Sequence, residues 1–289
     1  MIPTGIVLVT GGAGNTGAAL TAQLRQENIP VRTASRRPVQ DTGAEGTGAA
    51  SEHVVFDWHD EAAYGLALDG VERVYLVAPS GDPNPARTMV PFLRRALGAG
   101  VRRAVLLSSS AIPEGGPALG EVHQAVRELM PEWSVLQPSW FMQNFTVGLH
   151  GASIKTGGEI TTATGGGKVA FVDAGDIARV AFRALTDTIA HNQAHIITGP
   201  QALSYAEGAA IISDAAHKPV RHISISPAQL RQRLVAAGIP ESYAALLADL
   251  DEAIGHGAED RVTSVVQDVT GHPPRSLRDF ARAHADAWR

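Results

Sequence analysis

The run Ile6-Val7-Leu8-Val9-Thr10-Gly11-Gly12-Ala13-Gly14-Asn15-Thr16-Gly17-Ala18-Ala19-Leu20 decides how the rest of the chain is read. Its β-branched start reads as a short strand, and Ala18 to Leu24 carries helical patterning. Between them Gly11, Gly14 and Gly17 follow a G-x-x-G-x-x-G spacing rather than G-x-G-x-x-G. A strand, a glycine turn and a helix start offer backbone N–H groups, unobstructed by side chains, at the positive end of a helix dipole. That is what a nucleotide pyrophosphate needs. Gly11, Gly14, Asn15, Thr16 and Gly17 are the residues expected to hold it.

Outward from this turn, strands and helices alternate. Pro30 to Ser35 reads as a second strand that ends at Arg36-Arg37-Pro38. In dinucleotide folds this position faces the adenosine ribose, where an acidic residue accepts from the 2′-OH and an arginine accommodates a 2′-phosphate. No Asp or Glu lies between Asn28 and Gln40. Ser35, Arg36 and Arg37 therefore favour NADPH over NADH. Gln40 to Ser51, rich in Gly, Ala and Thr, reads as a loop, and His53 to Asp57 as a third strand, with Asp57 placed to contact the adenine. A short helix over Glu61 to Leu68 precedes a strand over Val71 to Val77. Strand ends on one edge of a parallel sheet line the ligand crevice, so Ala78, Pro79 and Ser80 are expected against the cofactor. A helix over Arg87 to Gly98, a strand over Val101 to Leu107 ending in Ser108-Ser109-Ser110, a helix over Glu121 to Met130 and a strand over Trp133 to Pro138 complete the series. Pro138 is also expected on the cofactor side. Such alternation predicts an α/β fold with a doubly wound parallel sheet.

Beyond residue 145 the alternation weakens. The expected division is a dinucleotide-binding core over 1–145 and a smaller substrate-binding region over 146–289, interleaved with the core. Gly157-Gly158 and Gly165-Gly166-Gly167 bracket an expected hairpin over Glu159 to Thr164. Asp173 to Asp176 caps a helix running to Leu185. His195 to Pro200 reads as a strand, Ser204 as a helix start, Pro219 to Ile225 as extended, and 227–255 as mostly helical.

Composition narrows the chemistry. The 289 residues contain no cysteine, which removes disulfides, thiol nucleophiles and thiolate metal sites. A net charge of -5 argues against general nucleic-acid binding. Arg94, Arg95, Arg102 and Arg103, the most basic stretch, read as a solvated helix end and strand start. No apolar run approaches the length of about 20 residues needed to span a bilayer. Met1 to Gly5 lacks a basic leader, so a cytoplasmic location is expected. His191 and His195 have i, i+4 spacing, yet no Asp or Glu lies between residues 188 and 206, and no metal site is expected.

Several motifs together resemble the NmrA-like family of atypical short-chain dehydrogenases/reductases. They are Thr10 to Gly17, Ser108 to Ser110, the helix from His123 to Leu129 leading into Leu136 to Asn144, Phe171 to Ala178, Ile197 to Ser204, and Val269 to Pro274. The resemblance implies a Rossmann core with a small C-terminal substrate-covering region, and NADPH as the usual cofactor. Members include NADPH-dependent quinone, ketone and imine reductases, some of which tailor natural products. Others are redox-sensing regulators that bind NADP and catalyse nothing.

Short-chain reductases commonly protonate the nascent alkoxide with the Tyr of a Tyr-x-x-x-Lys pair. Four residues after Tyr64, Tyr75, Tyr205 and Tyr243 stand Leu68, Pro79, Ala209 and Leu247, so the pair is absent. By alignment its tyrosine falls near Pro117 and its lysine near Glu121. Hydride transfer needs no strong protein acid where the acceptor is already electrophilic, and positioning then supplies most of the rate. The candidate polar groups are Ser108, Ser109, Ser110 and His123. Trp140, Phe141, Met142 and Phe145 either wall an aromatic substrate pocket or pack the core. The expectation is an NADPH-dependent reductase, monomeric or homodimeric, acting on a hydrophobic aromatic quinone or ketone in bacterial natural-product (polyketide, antibiotic) biosynthesis. The alternative is a non-catalytic NADP(H) sensor.

Overall fold

Val7, Leu8 and Val9 are fully buried in consecutive positions, the mark of a strand covered on both faces. Each such side chain contributes roughly 1.5–3 kcal/mol through the surface it removes from water. They lie in β1 (Ile6–Thr10), which is followed by α1 (Asn15–Gln26), β2 (Val31–Ser35), β3 (Ser51–Val55), α2 (Ala63–Leu68), β4 (Val71–Leu76), α3 (Ala86–Gly98), β5 (Arg103–Leu107), α4 (Leu119–Leu129) and β6 (Glu132–Pro138). The structure is a computed structural model that describes residues 5–36 and 51–289. Arg37, and the loop expected from Gln40 up to its last residue, lie outside the described residues. Ser51 already belongs to β3.

The main sheet has seven strands in the order β3-β2-β1-β4-β5-β6-β9, with β9 over Gln193–Ile197. All five pairings from β3 to β6 are parallel. The order reverses direction between β1 and β4, which makes their carboxyl ends the switch point where α/β sheets open a crevice. The doubly wound α/β architecture is therefore the one expected from the alternation.

The rest of the chain comprises α5 (Gly148–Gly157), β7 (Glu159–Thr162), β8 (Lys168–Val169), α6 (Ala174–Thr186), β10 (Leu203–Ser204), α7 (Tyr205–Ala216), β11 (Arg221–Ser224), α8 (Pro227–Ala236), α9 (Glu241–Gly255), α10 (Val265–Thr270) and α11 (Leu277–Ala283). Contacts divide the molecule into two compact units, Met1–Gln137 with Ile177–Ile196, and Pro138–Asp176 with Ile197–Arg289. The core of the second unit gathers Met142, Phe145, Phe171, Tyr205, Phe280 and Trp288. Two of its helices begin with reciprocal capping boxes, Ser204 with Glu207 and Ser226 with Gln229.

Two expectations are corrected. The segment between the glycine clusters is no hairpin: β7 pairs in parallel with β11, and β8 pairs antiparallel with β10. Gly158 ends α5 in the left-handed region, with φ at 63°, and a Cβ there would sit 2.4 Å from the Pro219 carbonyl oxygen. The glycine thus lets two strands from distant parts of the chain close together. Arg103 is not solvated but buried. Its guanidinium donates to the carbonyls of Ala184, Leu185 and Asp187 at 3.3, 3.0 and 2.7 Å, and its Nε to Glu132 at 2.6 Å. The cation satisfies carbonyls at the end of α6 that have no intrahelical donor.

Candidate functional site: a nucleotide cleft and an aromatic cavity

At the carboxyl ends of β1 and β4 lies a cleft of about 570 Å³. Its floor is the glycine turn. Gly11 has φ at 64°, and its carbonyl accepts from the Gly14 N–H at 2.8 Å. Gly14 is the N-cap of α1, and no side chain caps this helix. The first-turn N–H groups of α1 therefore open where Ala13, Gly14 and Asn15 are exposed. Gly17 is essential to that geometry, because a Cβ on it would lie 2.3 Å from the Gly11 carbonyl oxygen. Thr16 is buried at the helix start and accepts from the Tyr75 hydroxyl at 3.1 Å. The Thr10 hydroxyl accepts from the Val77 N–H at 2.8 Å and donates to the Tyr75 carbonyl at 3.0 Å. Tyr75 and Thr10 thereby tie the turn to β4.

Of the expected cofactor residues, Gly11, Gly14, Ser35, Arg36, Asp57, Ala78, Pro79 and Ser80 line this one cleft. Asn15, Thr16 and Gly17 stand beside it in the first turn of α1. Arg36 is exposed and is the lining side chain with a permanent positive charge among the described residues. Asp57 and Asp82 also line the cleft. Pro138, the last residue of β6, is buried and belongs to the second unit. Sequence reasoning missed Trp58, which lines the wall and is held by its indole N–H donating to the Val77 carbonyl at 3.1 Å. Its ring packs edge-on against Phe56 and Phe92 at 5.0 and 5.1 Å. The signal was present as an aromatic pair, Phe56 and Trp58, flanking Asp57.

Ser108, Ser109 and Ser110 follow β5 but do not line the cleft. The Ser108 hydroxyl is buried and has no hydrogen-bond partner among the described residues, while the Ser109 hydroxyl accepts from the Ala111 N–H at 3.3 Å. His123 is buried on α4, and neither ring nitrogen has a hydrogen-bond partner among the described residues. Burial holds its pKa below the ordinary histidine value, against the pull of the Glu114 carboxylate 3.9 Å away. The ring is therefore neutral at neutral pH. Among the described residues no cluster of His, Asp and Glu suits a metal ion, and no helix is long and apolar enough to cross a membrane.

The second unit contains a cavity of about 640 Å³. Trp140 borders it, whereas Met142 and Phe145 are buried in the core and Phe141, partly buried, bridges to Val172. The other walls come from α5, α7, α8 and α9, including His150, Tyr205, Leu230, Leu234, Leu247 and Asp251. Tyr205 stacks on His222 with ring centroids 5.8 Å apart, and the His150 ring, tilted, lies at the same 5.8 Å from the Tyr205 ring. Burial lowers the His150 pKa to about 4, helped by His222, and raises the Asp251 pKa to about 6 against one backbone hydrogen bond from Ala163. Burial also raises the Tyr205 phenol, and the Asp251 charge raises it further. These residues are far apart in sequence, and no local motif announced them.

The chain is similar to known proteins over nearly its whole length. It is 49% identical over 282 residues to an uncharacterized oxidoreductase, YesF, of Bacillus subtilis, covering 98% of this chain and 96% of that protein. It is 34% identical to agroclavine dehydrogenase of Claviceps fusiformis, covering 98% of each, and 35% identical to an NAD(P)H azoreductase of Xenophilus azovorans, covering 98% and 99%. In fold it resembles the Escherichia coli NADPH-dependent quinone oxidoreductase QOR2 in complex with NADPH, with a TM-score of 0.79, 23% identity, and 96% and 99% of the two chains covered. A Citrobacter sp. triphenylmethane reductase complexed with NADP(H) gives a TM-score of 0.78 at 22% identity, over 96% and 99%. The model of the NmrA-like family matches residues 3–271. With its glycine turn, its strand order and these relatives, the chain belongs to the NmrA-like family.

Proposed function

We propose that this protein is an NADPH-dependent reductase that delivers hydride to a hydrophobic, aromatic, already electrophilic acceptor such as a quinone or ketone, in bacterial natural-product biosynthesis. The observation that carries the reading is the cleft itself, where the uncapped start of α1 and the Arg36 guanidinium border one space of nucleotide size. The names of the azoreductase and of the quinone and triphenylmethane reductases support the acceptor class.

When bound, NADPH supplies the hydride. The chain's own residues do the rest: the first-turn N–H groups of α1 receive the pyrophosphate, and Arg36 pairs with the 2′-phosphate. Asp57 and the Ala78-Pro79-Ser80 edge border the nucleotide. Ser108, Ser109, Ser110 and His123 are the polar candidates of the first unit, with His123 confined to a packing role by its burial. Trp140 and the cavity that it borders within the second unit take the acceptor. With no Tyr-x-x-x-Lys pair, rate comes from orientation, and the acceptor must draw the hydride by its own electrophilicity.

The test is titration of purified protein with NADPH and NADH, followed by turnover against quinones, ketones and azo dyes. Arg36→Ala is expected to weaken NADPH by about tenfold or more while leaving NADH nearly unchanged. An unchanged preference overturns the cofactor assignment. The missing Tyr/Lys pair also suits a non-catalytic NADP(H) sensor. Tight binding of both oxidised and reduced cofactor, with no turnover of any acceptor, selects that reading instead.

A further inference from the structure

The cavity of the second unit holds a carboxyl group with no ionic partner. Asp251, on α9, accepts one hydrogen bond, from the Ala163 N–H to Oδ2 at 2.8 Å. Among the described residues it forms no ion pair, although Arg233, an exposed residue of α8, borders the same cavity. The cavity it borders is lined in large part by Trp140, Tyr205 and the leucines of α8 and α9, with Asn144 and Thr161 among its polar members. Burial pushes the carboxyl up to about 6, so at neutral pH it is ionised but poorly solvated.

A half-buried carboxylate among apolar side chains is costly unless something compensates it. None of the other ionisable groups bordering the cavity does so: Arg233 is exposed and forms no ion pair with Asp251 among the described residues. His150 is held neutral, and the Tyr205 phenol is pushed away from ionisation partly by Asp251 itself. A cation in the cavity would share it with the carboxylate, with Trp140 and Tyr205 among the lining residues, and aromatic rings attract cations. An anion or a neutral hydrocarbon would leave the carboxylate as it is.

We propose that this cavity is a binding site for aromatic ligands that carry a positive charge on or beside the ring, such as a quaternary or protonated ring nitrogen, with the Asp251 carboxylate as counter-ion. The inference rests on the reductase reading only in taking this cavity as the place of the acceptor. It narrows the acceptor from any electron-poor aromatic to a cationic one.

The experiment uses two probes of nearly the same shape, the 1-methylquinolinium cation and neutral 1-methylnaphthalene, bound to the full chain and followed by calorimetry without cofactor. Wild-type protein is expected to prefer the cation by about tenfold, the scale of one compensated charge pair. Asp251→Asn keeps the shape and an acceptor for Ala163; it should abolish the preference while leaving the naphthalene affinity unchanged. Asp251→Glu should restore it in part. Equal affinity of the two probes for wild-type protein, a measurement that needs no variant to fold, overturns the proposal, as does a preference that survives in Asp251→Asn. These titrations contain no cofactor and so test the site by itself; a cation preference in them, together with no NADPH-dependent turnover of any acceptor in a separate assay, would fail the reductase reading alone. Turnover of neutral acceptors with no cation preference would fail this one alone.

Discussion

Gly17 and Gly14 show how differently two glycines of one motif are constrained. A Cβ on Gly17 would lie 2.3 Å from the Gly11 carbonyl oxygen, 2.9 Å from its carbon and 3.0 Å from the Gly12 Cα, all backbone atoms that cannot swing aside. On Gly14 the only close neighbour is the same oxygen, at 3.2 Å, and the φ of -81° suits any L-residue. Gly17→Ala should therefore destabilise the protein by about 1–3 kcal/mol, the usual cost of overpacking. Gly14→Ala should cost less than about 1 kcal/mol. Chemical denaturation of the two variants compares them directly, and equal losses would mean the turn yields more easily than its packing implies. The same spacing that made the turn legible in the sequence did not distinguish these two positions, because the distinction lies in how the helix start meets the loop.

Elements repeat a device that composition conceals. Arg32 in β2 is buried and donates to the carbonyls of Leu66, Ala67 and Asp69 at the end of α2, at 3.2, 3.0 and 2.6 Å, and it pairs with Glu52. Arg103 in β5 does the same for the end of α6, with Glu132 as its acid. Arg103→Met would keep much of the bulk and strip these acceptors of their donor. A loss of about 3–5 kcal/mol is expected, as when one partner of a buried ionic group is removed, and thermal melting measures it. A shift no larger than that of an exposed arginine such as Arg102 would refute the helix-end role. Strands, turns and helices of the first unit were legible because hydrophobic period and glycine placement are local signals. Arg103 was not, since its partner carbonyls come some 80 residues later in the chain. The β7–β11 pairing was hidden for the same reason, and so were His150, Tyr205 and Asp251, which meet only once the second unit has folded.

At the scale of the whole molecule, buried titratable groups set the response to acid. His150 and His195 are both held at about 4, by burial first and then by a neighbouring histidine, His222 and His191 respectively. His195 is further fixed through the His191 ring at 2.9 Å, which itself reaches Asp187 at 3.1 Å. A histidine whose folded pKa is depressed binds fewer protons folded than unfolded. Its contribution is complete above the ordinary value of 6.5 and is lost as pH falls toward 4. Asp251 works in the opposite sense. Its pKa, raised from 3.8 to about 6, means the folded state holds a proton that the unfolded state has released, so its contribution is present at low pH and is lost as pH rises through that window. Two histidines against one carboxyl make the balance acid-labile, and the melting temperature should fall between pH 6.5 and pH 4. The variants separate the two contributions by the slope of that fall rather than by its starting level. His195→Gln removes one acid-sensitive group and should flatten the curve, whereas Asp251→Asn removes the opposing one and should steepen it while raising stability near neutral pH. Melting temperatures across this range for the three proteins decide the matter: parallel curves would mean that neither group changes its protonation on folding.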